Sequence, residues 1–188
     1  MKRFNRGILC LIAVALLATG YFFYRDHRDK TLANTAAVKI QATLNHLNEK
    51  AKTALNTGNI TPDQAKSLAE TILSEVYPES SNKQEYAYQR MALGRSFSTL
   101  SGTPWKEIEP NTNSIKLLQK NKDMLIFGID LLVDDNKINE SFVFQQSAQD
   151  LQLIGTDLWS RLVNIETLKS KSGGTLNYEE NAQPTIPY

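Results

Sequence analysis

The chain has 188 residues, and its 21 basic and 20 acidic side chains leave a formal net charge of +1 at pH 7. This balance provides no basic surface for nucleic acid, so we expect no nucleic-acid partner. The single cysteine, Cys10, lies inside an N-terminal apolar run, which leaves the remaining residues without a disulfide or a thiol nucleophile. About 140 residues lie between the first thirty and a polar tail, which suits one domain.

The N-terminal run, residues 8–24, contains no charged side chain. As a helix it is about 25 Å long, the short end of a bilayer crossing. Basic residues in 1–7 precede it, and four aromatic residues at 21–24 end it, as at a membrane–water interface. We therefore predict a cytoplasmic N-terminus over 1–7 and an uncleaved transmembrane anchor over 8–24. The alternative, a signal peptide cut after Gly20, would leave those rings at an exposed new N-terminus.

A further alternative is a pseudopilin-like leader that ends at Gly7. The fifth residue after Gly7 is normally glutamate in such leaders, and here it is Ile12. Three Lys/Arg residues lie on each side of the run, so their count does not orient it. Asp26 and Asp29 dilute the positive charge on the far side, which favours an inner-membrane, single-pass protein with its domain in the periplasm.

A juxtamembrane region and a long helix are predicted over 25–60. Apolar residues recur with helical spacing within 31–57, and Gly58 ends the pattern. The apolar stripe consists of Ile40, Leu44, Leu47, Ala51 and Leu55.

Two shorter helices open the extracytoplasmic domain, which is predicted over 61–168. Thr61 caps the first of them, and Gln64 completes a capping box. The second begins at Ser81 and ends near Gly102. The side chains expected on its apolar face are Tyr86, Tyr88, Met91, Phe97 and Leu100.

Four strands are predicted after these helices, with short polar turns between them. Within the second strand, alternate residues from Leu125 to Val133 form a core-facing set. Gly128 and Gly155 lie at mid-strand and indicate a curved sheet. A short helix over Ser160–Leu168 and a flexible tail over 169–188 follow. The strands are predicted over 114–119, 123–134, 138–147 and 150–159.

The fold class is therefore α+β: an N-terminal transmembrane helix, then two to three helices packed on a curved four-stranded antiparallel sheet. The last strand, DLQLIGTDLW (Asp150–Trp159), resembles the closing strand of the nuclear transport factor 2-like superfamily, although Leu151 replaces a frequent tryptophan. The resemblance covers residues 61–160 and implies a cone-shaped fold with helices inside a bent sheet. Members include enzymes, ligand binders and membrane-anchored periplasmic assembly domains of bacterial secretion machines.

Candidate catalytic and metal-binding groups are few. The two histidines are His27 beside the apolar run and His46 on the long helix, where Glu49 lies three residues on. That pair could form half a metal site, but no other His or Cys outside the apolar run completes it. Glu140 enters only a poor calcium-loop pattern with the wrong acid spacing. We predict no catalytic residue, no metal and no cofactor.

Asp130 interrupts the apolar second strand and has two interpretations. Buried, its carboxyl group would have a raised pKa and could act as a general base; on the surface, it would pair with a Lys or Arg of a neighbouring strand. Four aromatic residues either line a ligand cavity with it or fill the core. These residues are Trp105, Trp159, Tyr86 and Tyr88.

The sequence thus predicts a non-catalytic, membrane-anchored extracytoplasmic binding or scaffold domain of a bacterial envelope complex, for example a secretion complex. Its expected partners are the membrane and other envelope proteins. One alternative is a periplasmic small-molecule-binding cone-fold protein, or weak enzyme, built around Asp130. The other is a pseudopilin-like subunit.

Overall fold

The computed structural model describes residues 2–77, 83–134, 136–147 and 150–163, with side chains described from residue 17 onwards. The strands form one antiparallel sheet in the order β1-β2-β3-β4, so the predicted α+β class is confirmed. A further helical segment begins at residue 158. The other elements are α1 (Lys2–Leu55), α2 (Pro62–Val76), α3 (Lys83–Thr99), β1 (Ile108–Asn121), β2 (Met124–Val133), β3 (Asn136–Gln146) and β4 (Leu151–Thr156).

Helix α1 is a single element of 54 residues, roughly 80 Å long, that runs without interruption through the charged residues 25–30. Its predicted apolar stripe is confirmed, because all five of its side chains are buried in the core. The helix ends at Leu55, and Gly58 follows with a φ of +129°, a backbone conformation that only glycine adopts easily.

No helix formed by the residues that the structure describes is long and apolar enough to cross a membrane. The transmembrane anchor predicted over 8–24 is therefore not confirmed, because the described side chains of α1 begin at Leu17 and soon enter the charged stretch 25–30. The other part of the predicted range, 8–16, lies outside the described side chains.

Helix α2 begins as the sequence predicts. The Thr61 hydroxyl accepts a hydrogen bond from the Gln64 backbone N–H at 3.3 Å, and the Thr61 backbone N–H donates to Gln64 Oε1 at 2.8 Å. Together they form the predicted capping box, which satisfies two N–H groups at the start of the helix.

The predicted apolar face of α3 is confirmed for Phe97 and Leu100, which are buried, and for Tyr86, which packs against the core, but it is wrong for two residues. Tyr88 and Met91 are 51% and 48% exposed, whereas Gln89 and Ser96 are buried. Both polar side chains donate a hydrogen bond: Gln89 Nε2 to the partly buried Glu85 Oε1 at 2.5 Å, and the Ser96 hydroxyl to the buried backbone carbonyl of Trp159 at 2.5 Å. The start predicted at Ser81 lies outside the described residues.

The sheet presents the alternate residues of β2 from Leu125 to Val133 to the core, as predicted. Strand β1 is irregular, with register shifts between Asn111 and Lys116 and between Leu117 and Gln119. On the outer face, Leu118 of β1 lies over Gly128, where a Cβ atom would meet Leu118 Cδ1 at 2.9 Å. Gly128 therefore marks a close approach between two strands beside an irregular part of the sheet.

Strand β4 ends at Thr156, so the predicted strand over 150–159 is too long. The Thr156 hydroxyl accepts a hydrogen bond from the Leu158 backbone N–H at 3.2 Å and caps the helical segment that begins there. Trp159 therefore lies on a helix, and the predicted closing helix starts before Ser160. Residues 164–168 and the tail 169–188 lie outside the described residues.

Helix α1 and strand β1 run in opposite directions along each other. Three contacts of residues 105–108, the segment that leads into β1, show this direction: Asn56 Oδ1 accepts from the Trp105 backbone N–H at 2.9 Å, Lys52 pairs with Glu107 at 2.6 Å, and Asn48 bonds Ile108 at 3.0 Å. Strand β1 therefore leads from the C-terminal part of α1 back towards its N-terminus.

Candidate functional site

The aromatic residues predicted to line a ligand cavity do not converge. Trp159 is fully buried, and its indole N–H donates to the Tyr77 hydroxyl at 3.1 Å. The Tyr77 ring meets the Tyr86 ring edge-to-face with centroids 6.4 Å apart. Burial raises the pKa of Tyr77 above its ordinary value, so this phenol remains neutral. Trp159 and Tyr86 thus belong to one core cluster, while Tyr88 is exposed on α3.

Trp105 lies at another place in the core. Its ring packs on Phe97 with centroids 6.1 Å apart, and its indole N–H donates to Asn48 Oδ1 at 3.1 Å. The cavity beside it has a volume of about 20 Å³, enough for about one water molecule. This position supports a structural role, in which Asn48 joins Trp105 to the start of β1.

Asp130 lies on the outer face of the sheet. Lys137 Nζ lies 2.7 Å from Asp130 Oδ2, and Asn139 Nδ2 donates to Oδ1 at 3.0 Å. Burial alone would raise the pKa of Asp130, but the hydrogen bonds from Lys137 and Asn139 and the charges of Lys137 and Lys116 outweigh it and lower the pKa. An ionised, paired carboxylate is a weak proton acceptor, so this geometry favours the surface-pair interpretation.

Glu140 is a buried acid that the sequence analysis did not select. Its side chain is 1% exposed, on the core side of β3, and its Oε1 lies 2.5 Å from Arg161 Nη1. Burial, with a smaller effect of the Asp157 charge, raises the pKa of Glu140 to about 7, although Arg161 opposes the change. This carboxyl group therefore titrates near neutral pH in the folded protein.

A polar cleft of about 530 Å³ lies between α1, the C-terminal end of α2 and the start of β4. An ion pair and a histidine–carboxylate contact border it: Lys39 Nζ lies 3.0 Å from Asp150 Oδ1, and His46 Nε2 lies 3.1 Å from Glu75 Oε2. Lys39 and His46 are two turns apart on α1, so one helix face contributes both nitrogen groups. The remaining lining residues are Ala42, Thr43, Ser74, Val76, Tyr77, Gln152 and Leu153.

The cleft combines both signs of charge within reach of one small molecule. The hydrogen bond from Lys39, with a second from the Leu151 backbone N–H, lowers the pKa of Asp150. Its carboxylate is thus ionised at neutral pH and bound by the Lys39 ammonium group. A zwitterion is the small molecule whose charges such a cleft complements best.

The pairing of His46 with Glu75 replaces the predicted association of His46 with Glu49. Among the described residues, no three His, Cys, Asp or Glu side chains are grouped as a metal site would require.

Comparison of this chain with protein-family models, with curated proteins and with solved structures finds no match. The resemblance to the nuclear transport factor 2-like superfamily therefore stays a prediction that rests on element order and the pattern of 150–159.

Proposed function

We propose that this protein is a non-catalytic binding domain, held at a membrane by the N-terminal part of α1, and that it acts as a scaffold subunit of a bacterial envelope complex. The domain would lie on the extracytoplasmic side, in the periplasm. The attachment part of the proposal is supported by the sequence of residues 8–24 and by the exposed aromatic side chains described next.

The observation that carries the proposal is a ring of four exposed aromatic side chains on α1, the aromatic belt. Tyr21, Phe22, Phe23 and Tyr24 are 62%, 62%, 72% and 67% exposed. Consecutive helical residues point about 100° apart, so the four rings surround the helix. A packed partner helix covers only one stripe of such a surface, whereas the interface of a bilayer surrounds it completely.

A partner-binding role is supported by the surface of the domain. Tyr88 and Met91 lie one turn apart on α3, and both are about half exposed. Aromatic and methionine side chains are enriched in protein interfaces, where their burial contributes much of the affinity. We propose this pair as the centre of the surface that contacts another envelope protein.

The test is purification of the protein from its own membranes in a mild detergent, with mass spectrometry of the companions. We expect companions in fixed stoichiometry, and we expect Tyr88→Ser with Met91→Ser to lose them while remaining in the membrane. Leu132→Ser, which changes a 40% exposed side chain on the sheet, is the matched control and should keep them. A wild-type protein that elutes alone would contradict the scaffold role.

A second candidate function is the binding of a small zwitterion in the cleft between Lys39–Asp150 and His46–Glu75. The observation that favours it is the cleft volume of about 530 Å³, which is within the range of small-molecule sites. Free amino acids and dipeptides are the probes, and binding would raise the melting temperature. Lys39→Met should remove that increase, whereas Asp130→Asn should not; an unchanged melting temperature with every probe would contradict it.

A further inference from the structure

We infer that the tip of the β1–β2 hairpin, residues 120–122, is a second membrane contact that docks on anionic phospholipid headgroups. This inference rests on the proposed attachment of α1 to a membrane and names the surface of the domain that would face it. Two observations carry it: the position of the tip along α1 and the unpaired charge of its lysines.

The hairpin tip lies at the end of the domain that faces the N-terminus of α1. Strand β1 runs antiparallel to α1 and turns at residues 122–123. The Asp123 carbonyl accepts from the Gln146 backbone N–H at 2.6 Å, which places the end of β3 beside this turn. The β4 side of the same end is fixed by the pair of Asp150 with Lys39 at 3.0 Å. The β1–β2 and β3–β4 turns thus lie beside the first half of the part of α1 that packs on the domain, Leu32–Leu55.

The domain begins close to the aromatic belt. Leu32 already packs against the core, and it follows Tyr24 by about 12 Å along the helix. Even Lys39 is only about 22 Å from Tyr24. A headgroup layer of about 6 Å, a lysine side chain of about 6 Å and a Debye length of about 8 Å together cover about 20 Å, most of this distance. The usual helix tilt of about 20° brings one side of the domain closer still.

The tip carries free positive charge. Lys120 and Lys122 are exposed, and among the described residues neither has a carboxylate within ion-pair distance. Asp150 is paired with Lys39, whereas Asp123 keeps its negative charge because its partner, Gln145 Nε2 at 3.3 Å, is a neutral amide. Two lysines and one aspartate over residues 120–123 leave a net charge of +1 at the tip. An anionic surface is the partner that this excess of positive charge fits.

The apex residue itself has an unusual backbone. Lys122 has a φ of +46°, in the left-handed region that glycine and asparagine occupy more readily. At the opposite end of the sheet the lysines are paired instead: Lys106 lies 3.0 Å from Asp134, and Lys137 lies 2.7 Å from Asp130. The free lysines of the hairpin therefore lie at the end that faces the belt.

The experiment uses the full chain in vesicles, with Cys10→Ser and a single fluorescent label at Asn121→Cys. A second label position, Thr53→Cys, lies on the late part of α1 and reports the far end of the domain. Quenching by headgroup-spin-labelled lipid is measured in phosphatidylcholine alone and in phosphatidylcholine with phosphatidylglycerol. Flotation of the vesicles reports separately whether the protein is attached.

In vesicles that contain phosphatidylglycerol, we expect strong quenching at position 121 and little at position 53. We expect no strong quenching at position 121 in phosphatidylcholine alone. About 1 M NaCl should reverse the quenching, because the Debye length is then roughly 3 Å. Lys120→Gln with Lys122→Gln should weaken the contact about fivefold per lysine. Lys50→Gln with Lys66→Gln, two lysines away from the hairpin, should leave it unchanged.

Two results in protein that floats with the vesicles would overturn the inference and leave the attachment intact. One is equal quenching at positions 121 and 53. The other is quenching at position 121 that does not depend on the lipid charge or on the hairpin lysines. Protein that does not float would refute the attachment and, with it, this inference.

Discussion

Glu140 has the environment least expected for its residue type. It takes an inward position of β3, among Ile138, Phe142 and Phe144, and it pairs with Arg161 of the segment after β4. Burial of a carboxyl group opposes its ionisation, which explains why its pKa is raised even beside a guanidinium group.

This raised pKa predicts a pH-dependent stability. Between about 4.5 and about 7, the unfolded chain loses the Glu140 proton while the folded chain keeps it, so the folded state binds more protons. The free energy of unfolding therefore falls as the pH rises through this window, by an amount of the order of 3 kcal/mol. Urea unfolding in detergent, followed by tryptophan fluorescence at pH 5 and pH 8, measures it.

Glu140→Gln is the matched variant, because the amide keeps the shape of the side chain and does not titrate. We expect the variant to lose much less stability than the wild type between pH 5 and pH 8. Equal losses in the two proteins would show that Glu140 does not titrate in this window.

Asn48 stabilises the fold through three hydrogen bonds that join α1 to Trp105 and to Ile108 at the start of β1. Its amide accepts from Trp105 Nε1 and from the Ile108 backbone N–H, and it donates to the Ile108 carbonyl at 3.0 Å. Asn48→Ala leaves these partly buried groups without partners and should cost about 2–3 kcal/mol of unfolding free energy. Asn45→Ala, which removes only an exposed bond with Gln41, should cost less than about 0.5 kcal/mol. Similar costs in the two variants would contradict this role.

Sequence reasoning found Asp130 and missed Glu140, and the reason is one of strand register. Asp130 interrupts an apolar strand and is conspicuous, yet its even position places it on the outer face beside Lys137 and Asn139. Glu140 shares the period of Ile138 and Phe142, a signal that was present in the sequence. Arg161, its partner, is distant in the chain, so the pairing required the fold.

At the level of elements, predictions based on local capping and apolar spacing succeeded. The stripe of α1 and the capping box of Thr61 and Gln64 both depend on residues within one or two turns. The predicted face of α3 was wrong for Tyr88 and Met91, whose places in the core are taken by Gln89, which donates to Glu85, and by Ser96, which donates to the Trp159 carbonyl. Such partners turn polar residues inward and cannot be read from periodicity alone.

The capping box gives a prediction at this scale. Thr61→Ala removes the oxygen that accepts from the Gln64 backbone N–H and should cost about 1 kcal/mol in urea unfolding. Thr71→Ala, a change of the same type on the exposed middle of α2, should be neutral or slightly stabilising. An effect of equal size at both positions would argue against a cap.

Continuity of α1 gives a second prediction. Among the side chains of α1 that the structure describes, from Leu17 onwards, the first fully buried one is Ala36, so residues between Tyr24 and Lys30 connect the belt to the domain without entering its core. Two glycines inserted after Lys30 should break this connection, because glycine disfavours helix. We expect the urea midpoint of the domain to stay constant while the quenching at position 121 falls. A lowered midpoint would show that this stretch stabilises the domain itself.

At the scale of the whole molecule, one helix, α1, joins an apolar N-terminal segment to the packed domain. The sequence indicated the two parts but predicted a boundary between them, since charged residues 25–30 looked like a juxtamembrane linker. No glycine or proline interrupts that stretch, and Asp26 pairs with Lys30 one turn later at 2.7 Å. The helix therefore continues, and the domain is held close to the aromatic belt.

The most direct measurement is alkaline carbonate extraction of native membranes, followed by mass spectrometry of the N-terminal peptides of this protein. We predict that the protein stays in the membrane pellet and that its peptides include residues 8–24 intact. A protein released by carbonate and beginning at Tyr21 would contradict the account and indicate a cleaved signal peptide. A chain that begins immediately after Gly7 would contradict it in favour of a pseudopilin-like subunit.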